Sequence, residues 1–185
     1  MEDKEVLYKG DWLDLVKIDE YECLDEPDIV LILVKRIFED GTVRYAIRSE
    51  FCPPYSTEKN YYTMISGKID EGEDAKQAAI RELEEEAGIK LLDKNKMQDA
   101  FDNIPICKST TMRTYLMNCT IREVDLGITY EMVDIKGDGT ENEAKSNTLW
   151  LTFEEMIEII ENNDTFDLLF YLATFIYREA EIEEV

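Results

Sequence analysis

The chain of 185 residues contains no histidine. That absence excludes His-based nucleophile triads and His-rich zinc sites, and it makes carboxylates the plausible acid and base groups. Positive charge is also scarce, with 20 Lys and Arg against 43 Asp and Glu and a formal net charge of −23. So acidic a chain argues against binding nucleic acid or an anionic membrane through a general basic surface. A polyanionic substrate would need local positive charge, from metal ions and selected Arg or Lys. Cysteine is sparse and scattered, at Cys23, Cys52, Cys107 and Cys119, with no Cys-x-x-Cys pair, and a secretory leader is not expected. Reduced thiols in a cytosolic protein are expected. Cys107 and Cys119 lie in apolar surroundings and read as core residues. No apolar run approaches the ~20 residues needed to span a bilayer, so a soluble protein is expected. Internal repeats, low-complexity tracts and clear linkers are lacking too. At 44 % hydrophobic content the length suits one compact domain with a sizeable core. Only Glu179–Val185 is expected to fray.

What is present is concentrated between Gly67 and Ile89: Gly67-Lys-Ile-Asp-Glu-Gly-Glu73-Asp-Ala-Lys-Gln-Ala-Ala-Ile-Arg81-Glu82-Leu83-Glu84-Glu85-Glu86-Ala87-Gly88-Ile89. Asp74 can cap the first exposed amides of a helix, and Gly88 can take the left-handed conformation that ends one. The caps predict a helix of about 14 residues. At 100° per residue Ala79, Ile80, Leu83 and Ala87 share one face, and Glu82, Glu85 and Glu86 share the adjacent one. Like charges three and four residues apart each cost a few tenths of a kcal/mol, so several stacked together call for something positive. Clustered oxygen ligands with room for water suit Mg²⁺ or Mn²⁺, ions that bridge protein carboxylates to substrate phosphates. A solvated glutamate-rich face is the ordinary reading of such a run; the spacing of the flanking residues argues against it.

Around this segment the pattern is mixed. Residues 5–22 look like a pair of strands around a turn at Gly10, and Ile29–Val34 is a β-branched run suited to a buried strand. Glu39-Asp-Gly41 is a hairpin-type turn leading into Val43–Arg48. Cys52-Pro-Pro54 breaks pairing, and Tyr61–Ile65, Ile104–Cys107, Arg113–Ile121, Gly127–Ile135 and Thr148–Thr152 read as further strands. Helices are predicted at about 153–162 and 165–181. A mixed sheet flanked by helices is the economical architecture.

The glycine-to-glycine spacing is Gly, five residues, Glu, seven residues, Arg-Glu, an aliphatic, any residue, Glu-Glu, any residue, Gly and an aliphatic, and every position is filled. This resembles the signature box of the Nudix hydrolases, which cleave nucleoside diphosphates linked to another moiety. The resemblance implies an α/β fold, an α/β/α sandwich with a mixed sheet. It extends to the branch that hydrolyses ADP-ribose and related nucleotide sugars. Tyr8-Lys-Gly10-Asp-Trp12-Leu13 is similar to the amino-terminal strand pair through which those enzymes dimerise. Glu50-Phe51-Cys52-Pro53-Pro54 is similar to their Phe-Arg-Pro-Pro segment, and Gly137-Asp-Gly-Thr-Glu141-Asn-Glu143 to their late acidic loop. The implied organisation is residues 1–25 as a dimerising strand pair and 26–185 as the hydrolase domain, in a cytoplasmic homodimer.

The same resemblance implies roles. Glu82 and Glu86 would ligate Mg²⁺, with Mn²⁺ as the alternative, Glu85 would bind directly or through water, and the carbonyl of Ser66 beside Gly67 would add a ligand. Arg81 would hold Glu73 in a bidentate ion pair and fix the loop against the helix. The general base would come from the late loop, with Glu141 the better match and Glu143 the second. Trp12 would stack on the substrate base. Cys52 stands where the related enzymes carry an arginine that holds substrate; Arg48 is a candidate replacement, and a plain strand-edge arginine is its other reading. Thr63 and Lys108-Ser-Thr-Thr-Met-Arg113 also depart from the branch. Other sugar nucleotides, dinucleotides and an oxidised nucleoside triphosphate are therefore alternatives to ADP-ribose, and a nucleotide-binding sensor without catalysis is a further one.

Overall fold

The computed structural model describes residues 4–11, 13–105, 107–135, 146–165, 170–172 and 174–175. Twelve strands and two named helices are assigned within them. The amino-terminal segment forms a meander of β1 (Lys4–Lys9), β2 (Asp14–Ile18) and β3 (Tyr21–Asp25). The strand pair around Gly10 is thus present, and a third strand follows a turn in which Asp19 takes a φ of +54°. Val16 and Cys23 point inward, while Val6, Leu7, Tyr8, Leu13 and Tyr21 are exposed.

The main sheet is built from β4 (Ile29–Ile37), β5 (Val43–Glu50), β9 (Met97–Pro105), β10 (Arg113–Arg122) and β12 (Asn147–Leu151), in the order β12-β5-β4-β10-β9. Two short strands, β6 (Tyr61–Thr63) and β7 (Ile65–Lys68), pair with β5 and β4 respectively. The β10–β4 pair is parallel and the others antiparallel, so the sheet is mixed. A separate small ladder joins β8 (Ile89–Leu91) to β11 (Tyr130–Met132).

The apolar run in β4 is buried on both faces because alternate residues enter different layers. Val30, Ile32 and Val34 pack with Ala79, Leu83 and Ala87 of α1 (Ala75–Ala87). Leu31 and Leu33 pack with Met156 and Ile159 of α2 (Phe153–Glu161) and with Phe170 in a further helical stretch. Helix, sheet and helix make the α/β/α sandwich. Among the described residues no helix is long and apolar enough to cross a membrane.

The differences from the sequence reading have local causes. Cys107, expected in the core, is exposed because β9 ends at Pro105 and the thiol sits in the following turn, 3.0 Å from Ser109 Oγ. The strand expected over Gly127–Ile135 shrinks to Tyr130–Met132, since Gly127 adopts a φ of +76° and turns the chain. Cys119 is buried as expected, and all four thiols are free.

Candidate active site

Helix α1 and the loop before it hold the box residues. Asp74 Oδ1 accepts from the Gln77 amide at 2.8 Å and Gln77 Oε1 from the Asp74 amide at 2.9 Å, a reciprocal cap that starts the helix. Gly88 ends it in the left-handed region, φ +63°, with its amide returned to Glu84 and Leu83 carbonyls. Between these ends Leu83 and Ala79 are driven into the core, which sets Glu82 and Glu86 against β7 and leaves Glu85 outside.

Arg81 organises the exposed half. Its Nε donates to Glu73 Oε1 at 3.1 Å and its Nη2 to Glu73 Oε2 at 3.0 Å, the bidentate pair expected from the sequence. Nη2 also donates to the Lys68 carbonyl at 2.9 Å, and Nη1 to Glu82 and Glu85 at 2.5 and 3.2 Å. One guanidinium therefore ties loop, strand and helix together. Its proximity holds the Glu73 carboxyl below the usual range, while the carboxylates hold Arg81 firmly protonated.

The buried half is organised by Arg48. The residue is 2 % exposed, because Ala46 and Arg48 share the face of β5 that turns toward α1. Its Nε lies 3.3 Å from Glu86 Oε1 and 3.6 Å from Glu50 Oε1. Glu86 Oε2 accepts from the Ser66 amide at 3.2 Å. Arg48 is a candidate substrate contact from its sequence position; in the structure its guanidinium faces inward and lies against Glu86.

Burial raises the carboxyl pKa of both inward glutamates. Glu86 is pushed up to about 8, mainly by burial, with Arg48 and the Ser66 amide opposing and Glu50 and Glu82 adding to the shift. Glu82 is raised by burial too, against the pull of Arg81. Gly67 explains how Glu82 fits: a Cβ there would overlap the Glu82 carboxylate and its Cγ, so the strand approaches the helix only without a side chain. Its backbone lies outside the left-handed region, so room and not φ requires the glycine.

The oxygen-only set Glu82, Glu85, Glu86 and Ser66 has the chemistry of an Mg²⁺ or Mn²⁺ site. Among the described residues no three acidic or thiol groups enclose a cation as they stand. Glu82 and Glu85 lean on Arg81 and Glu86 lies against Arg48, so the two arginines offset part of the cluster's charge. To receive an ion, Glu82 and Glu85 would turn off Arg81, whose other contacts are Glu73 and the Lys68 carbonyl. Beside them an open groove of about 720 Å³ runs along the solvent side of α1, lined by Glu73, Gln77, Arg81, Glu85 and Lys94 among others.

The sequence-predicted residues thus come together where β7 meets α1, with Glu82 and Glu86 against Ser66 and Gly67 and with Glu73, Arg81 and Glu85 on the solvent side. Trp12, Glu141 and Glu143 lie outside the described residues. Sequence reasoning missed Thr148, whose Oγ1 donates to the Glu86 carbonyl at 2.5 Å, and the proximity of Glu50 to Arg48. A Thr near the start of a strand carries no signal of such a contact.

No curated protein matches the chain. Among solved structures, a crystal structure of an ADP compounds hydrolase superposes with a TM-score of 0.69 at 17 % identity, over 98 % of this chain and 93 % of that one, a likeness of fold. The profile of the NUDIX domain matches residues 33–170, well over half of the sequence. On that match, and with the box intact in its loop and helix, the chain belongs to the Nudix hydrolase family.

Proposed function

We propose that the protein hydrolyses the pyrophosphate bond of a nucleoside diphosphate derivative, with ADP-ribose, cleaved to AMP and ribose 5-phosphate, as the leading substrate and related nucleotide sugars next. The observation that carries this reading is the box assembled as a unit. Glu82 sits over Gly67, Glu86 lies under the Ser66 amide, and Arg81 locks Glu73. The fold likeness to a protein described as an ADP compounds hydrolase supports the substrate class.

Glu82 and Glu86, with Glu85 and the Ser66 carbonyl, would hold Mg²⁺ or Mn²⁺. When bound, such ions neutralise pyrophosphate charge and lower the pKa of water. Arg81 and Glu73 keep the loop from shifting as the carboxylates reorient. Water attacks one phosphorus in line; its oxygen bonds to that phosphorus while the bridging oxygen leaves with the other phosphate. Glu141, with Glu143 as the second candidate, takes the proton from the attacking water. Trp12 offers a flat ring for the base to stack on. A homodimer formed through the amino-terminal strands would bring that ring toward a site; the exposed apolar residues of β1 to β3 support such an association. A cytoplasmic location fits the free thiols.

The test is phosphatase-coupled phosphate release from a panel of ADP-ribose, other nucleotide sugars, dinucleotides and nucleoside triphosphates, with and without Mg²⁺. Selective Mg²⁺-dependent cleavage of ADP-ribose is the expected result. Cleavage of another substrate alone would reassign the substrate, and tight nucleotide binding without hydrolysis of any would overturn the enzymatic reading.

A further inference from the structure

Glu86 lies one residue before the end of α1, where carbonyls have no partner within the helix. Its main-chain oxygen accepts from Thr148 Oγ1 at 2.5 Å and from Arg48 Nη1 at 3.5 Å. Arg48 Nη1 donates to Thr148 Oγ1 as well, at 3.3 Å. The two residues are direct cross-strand partners in the β5–β12 ladder, so they act as one unit brought to the helix end by strand pairing. The last turn of α1 contains no basic residue of its own. A guanidinium from β5 therefore supplies the positive charge that a helix C-terminus favours.

The same guanidinium also reaches the Glu86 side chain, with Nε 3.3 Å from Oε1, while Ser66 holds Oε2. Main chain and carboxylate of one residue are thus fixed from three strands: β5, β7 and β12. Helix capping alone would need only the carbonyl contacts. Simple packing would be served by an aliphatic residue, since the neighbouring Ala46 and Ile47 are fully buried.

We infer that Arg48 and Thr148 form a positioning pair that sets the place and direction of Glu86 as a metal ligand, an inference that rests on the metal-dependent reading above. Neither residue touches substrate in this account. Both act through Glu86.

The test is Mn²⁺ affinity of the metal-free protein, read as free Mn²⁺ by electron paramagnetic resonance, which needs no turnover. It is run on the parent, Thr148→Val, Thr148→Ser, Arg48→Lys and Glu86→Gln, with thermal unfolding as the check on folding. Arg48→Lys keeps the charge and loses the fork; Thr148→Val keeps the shape and loses the hydroxyl. Each should raise the Mn²⁺ dissociation constant by about tenfold, as partners that orient a ligand do. Thr148→Ser should keep the parent affinity. In the Glu86→Gln background neither change should weaken binding further, because both act on that one ligand. Parent-like affinity in folded Thr148→Val and Arg48→Lys would overturn the inference, as would an equal further loss in the Glu86→Gln background. If Arg48→Lys does not fold, the Thr148 pair decides alone. A parent that takes up no Mn²⁺ would overturn the metal-dependent reading itself, and with it this inference.

Discussion

Replacing Gly67 by Ala adds a single methyl group at the closest approach of β7 to α1. The new Cβ would overlap the Glu82 Oε1, Cδ and Cγ positions. Because Cγ is among them, rotating the carboxylate alone gives no relief, and the whole side chain must change its first torsion. Gly67 pairs with Val30 in the β4–β7 ladder and has no left-handed backbone, so alanine is compatible with the strand. The lower entropy of the unfolded chain favours Ala by ~0.5–1 kcal/mol. Losing the Arg81–Glu82 contact costs roughly 1–2 kcal/mol in the other direction. Net stability should therefore move by only about 1 kcal/mol, or ~2–4 °C in Tm for a chain this long. Activity should respond far more. Disturbing a group that merely orients a metal ligand costs ~10–100-fold, so displacing the ligand itself should cost about 100-fold or more. The assay is turnover against Mg²⁺ concentration beside a thermal melt. Parent-like kcat at the parent's Mg²⁺ requirement, in a folded Gly67→Ala protein, would refute the placement of Glu82.

Other consequences follow from the same geometry. The Glu86 carboxyl rises from an ordinary 4.5 to about 8 in the folded protein, so between those values the native state holds a proton that the unfolded chain has lost. Stability of the metal-free protein from this group is fully present below the lower value and falls as pH rises toward the upper one, by up to about 5 kcal/mol. Urea unfolding across that range should show the slope, and Glu86→Gln should flatten it. Arg81→Lys removes the bidentate hold on Glu73 while keeping the charge, and should lower kcat/KM by about 10–100-fold with the fold intact by circular dichroism. Gly88→Ala forces a β-carbon into the left-handed region and to 2.5 Å from the Val133 carbonyl. It should destabilise the protein by ~1–3 kcal/mol in denaturant titration. Glu141→Gln should reduce kcat with little change in KM if Glu141 is the base, and an unaffected kcat there with a loss in Glu143→Gln would assign the role to Glu143.

The parts of this molecule that were legible in the sequence are those set by local chemistry. Asp74 and Gly88 bound α1 because caps depend on a few neighbouring residues. The unbroken apolar run Ile29–Val34 announces a central strand, because a strand covered on both faces must be apolar at every position. The Arg81–Glu73 pair was implied by the family resemblance of the box, and in the structure it is a two-point contact. Less could be read where tertiary pairing decides. β3 and β8 are short, and much of β9 is an exposed edge with Gln98, Asp99 and Asp102 facing outward, so none carries a strong periodic signal. Arg48 shows the limit most clearly. The pleat of β5 turns it toward α1, and its contact with Thr148 joins residues 100 apart in the chain. Long-range contacts of that kind leave no local pattern.

In the proposed function the acidic cluster of α1 performs metal-dependent pyrophosphate hydrolysis. Its most direct test is product release from ADP-ribose at saturating Mg²⁺ by the parent protein and by Glu86→Gln, each with a matched chelated control. The account predicts Mg²⁺-dependent release by the parent and none above the control for a folded Glu86→Gln protein. Undiminished release by Glu86→Gln would contradict it.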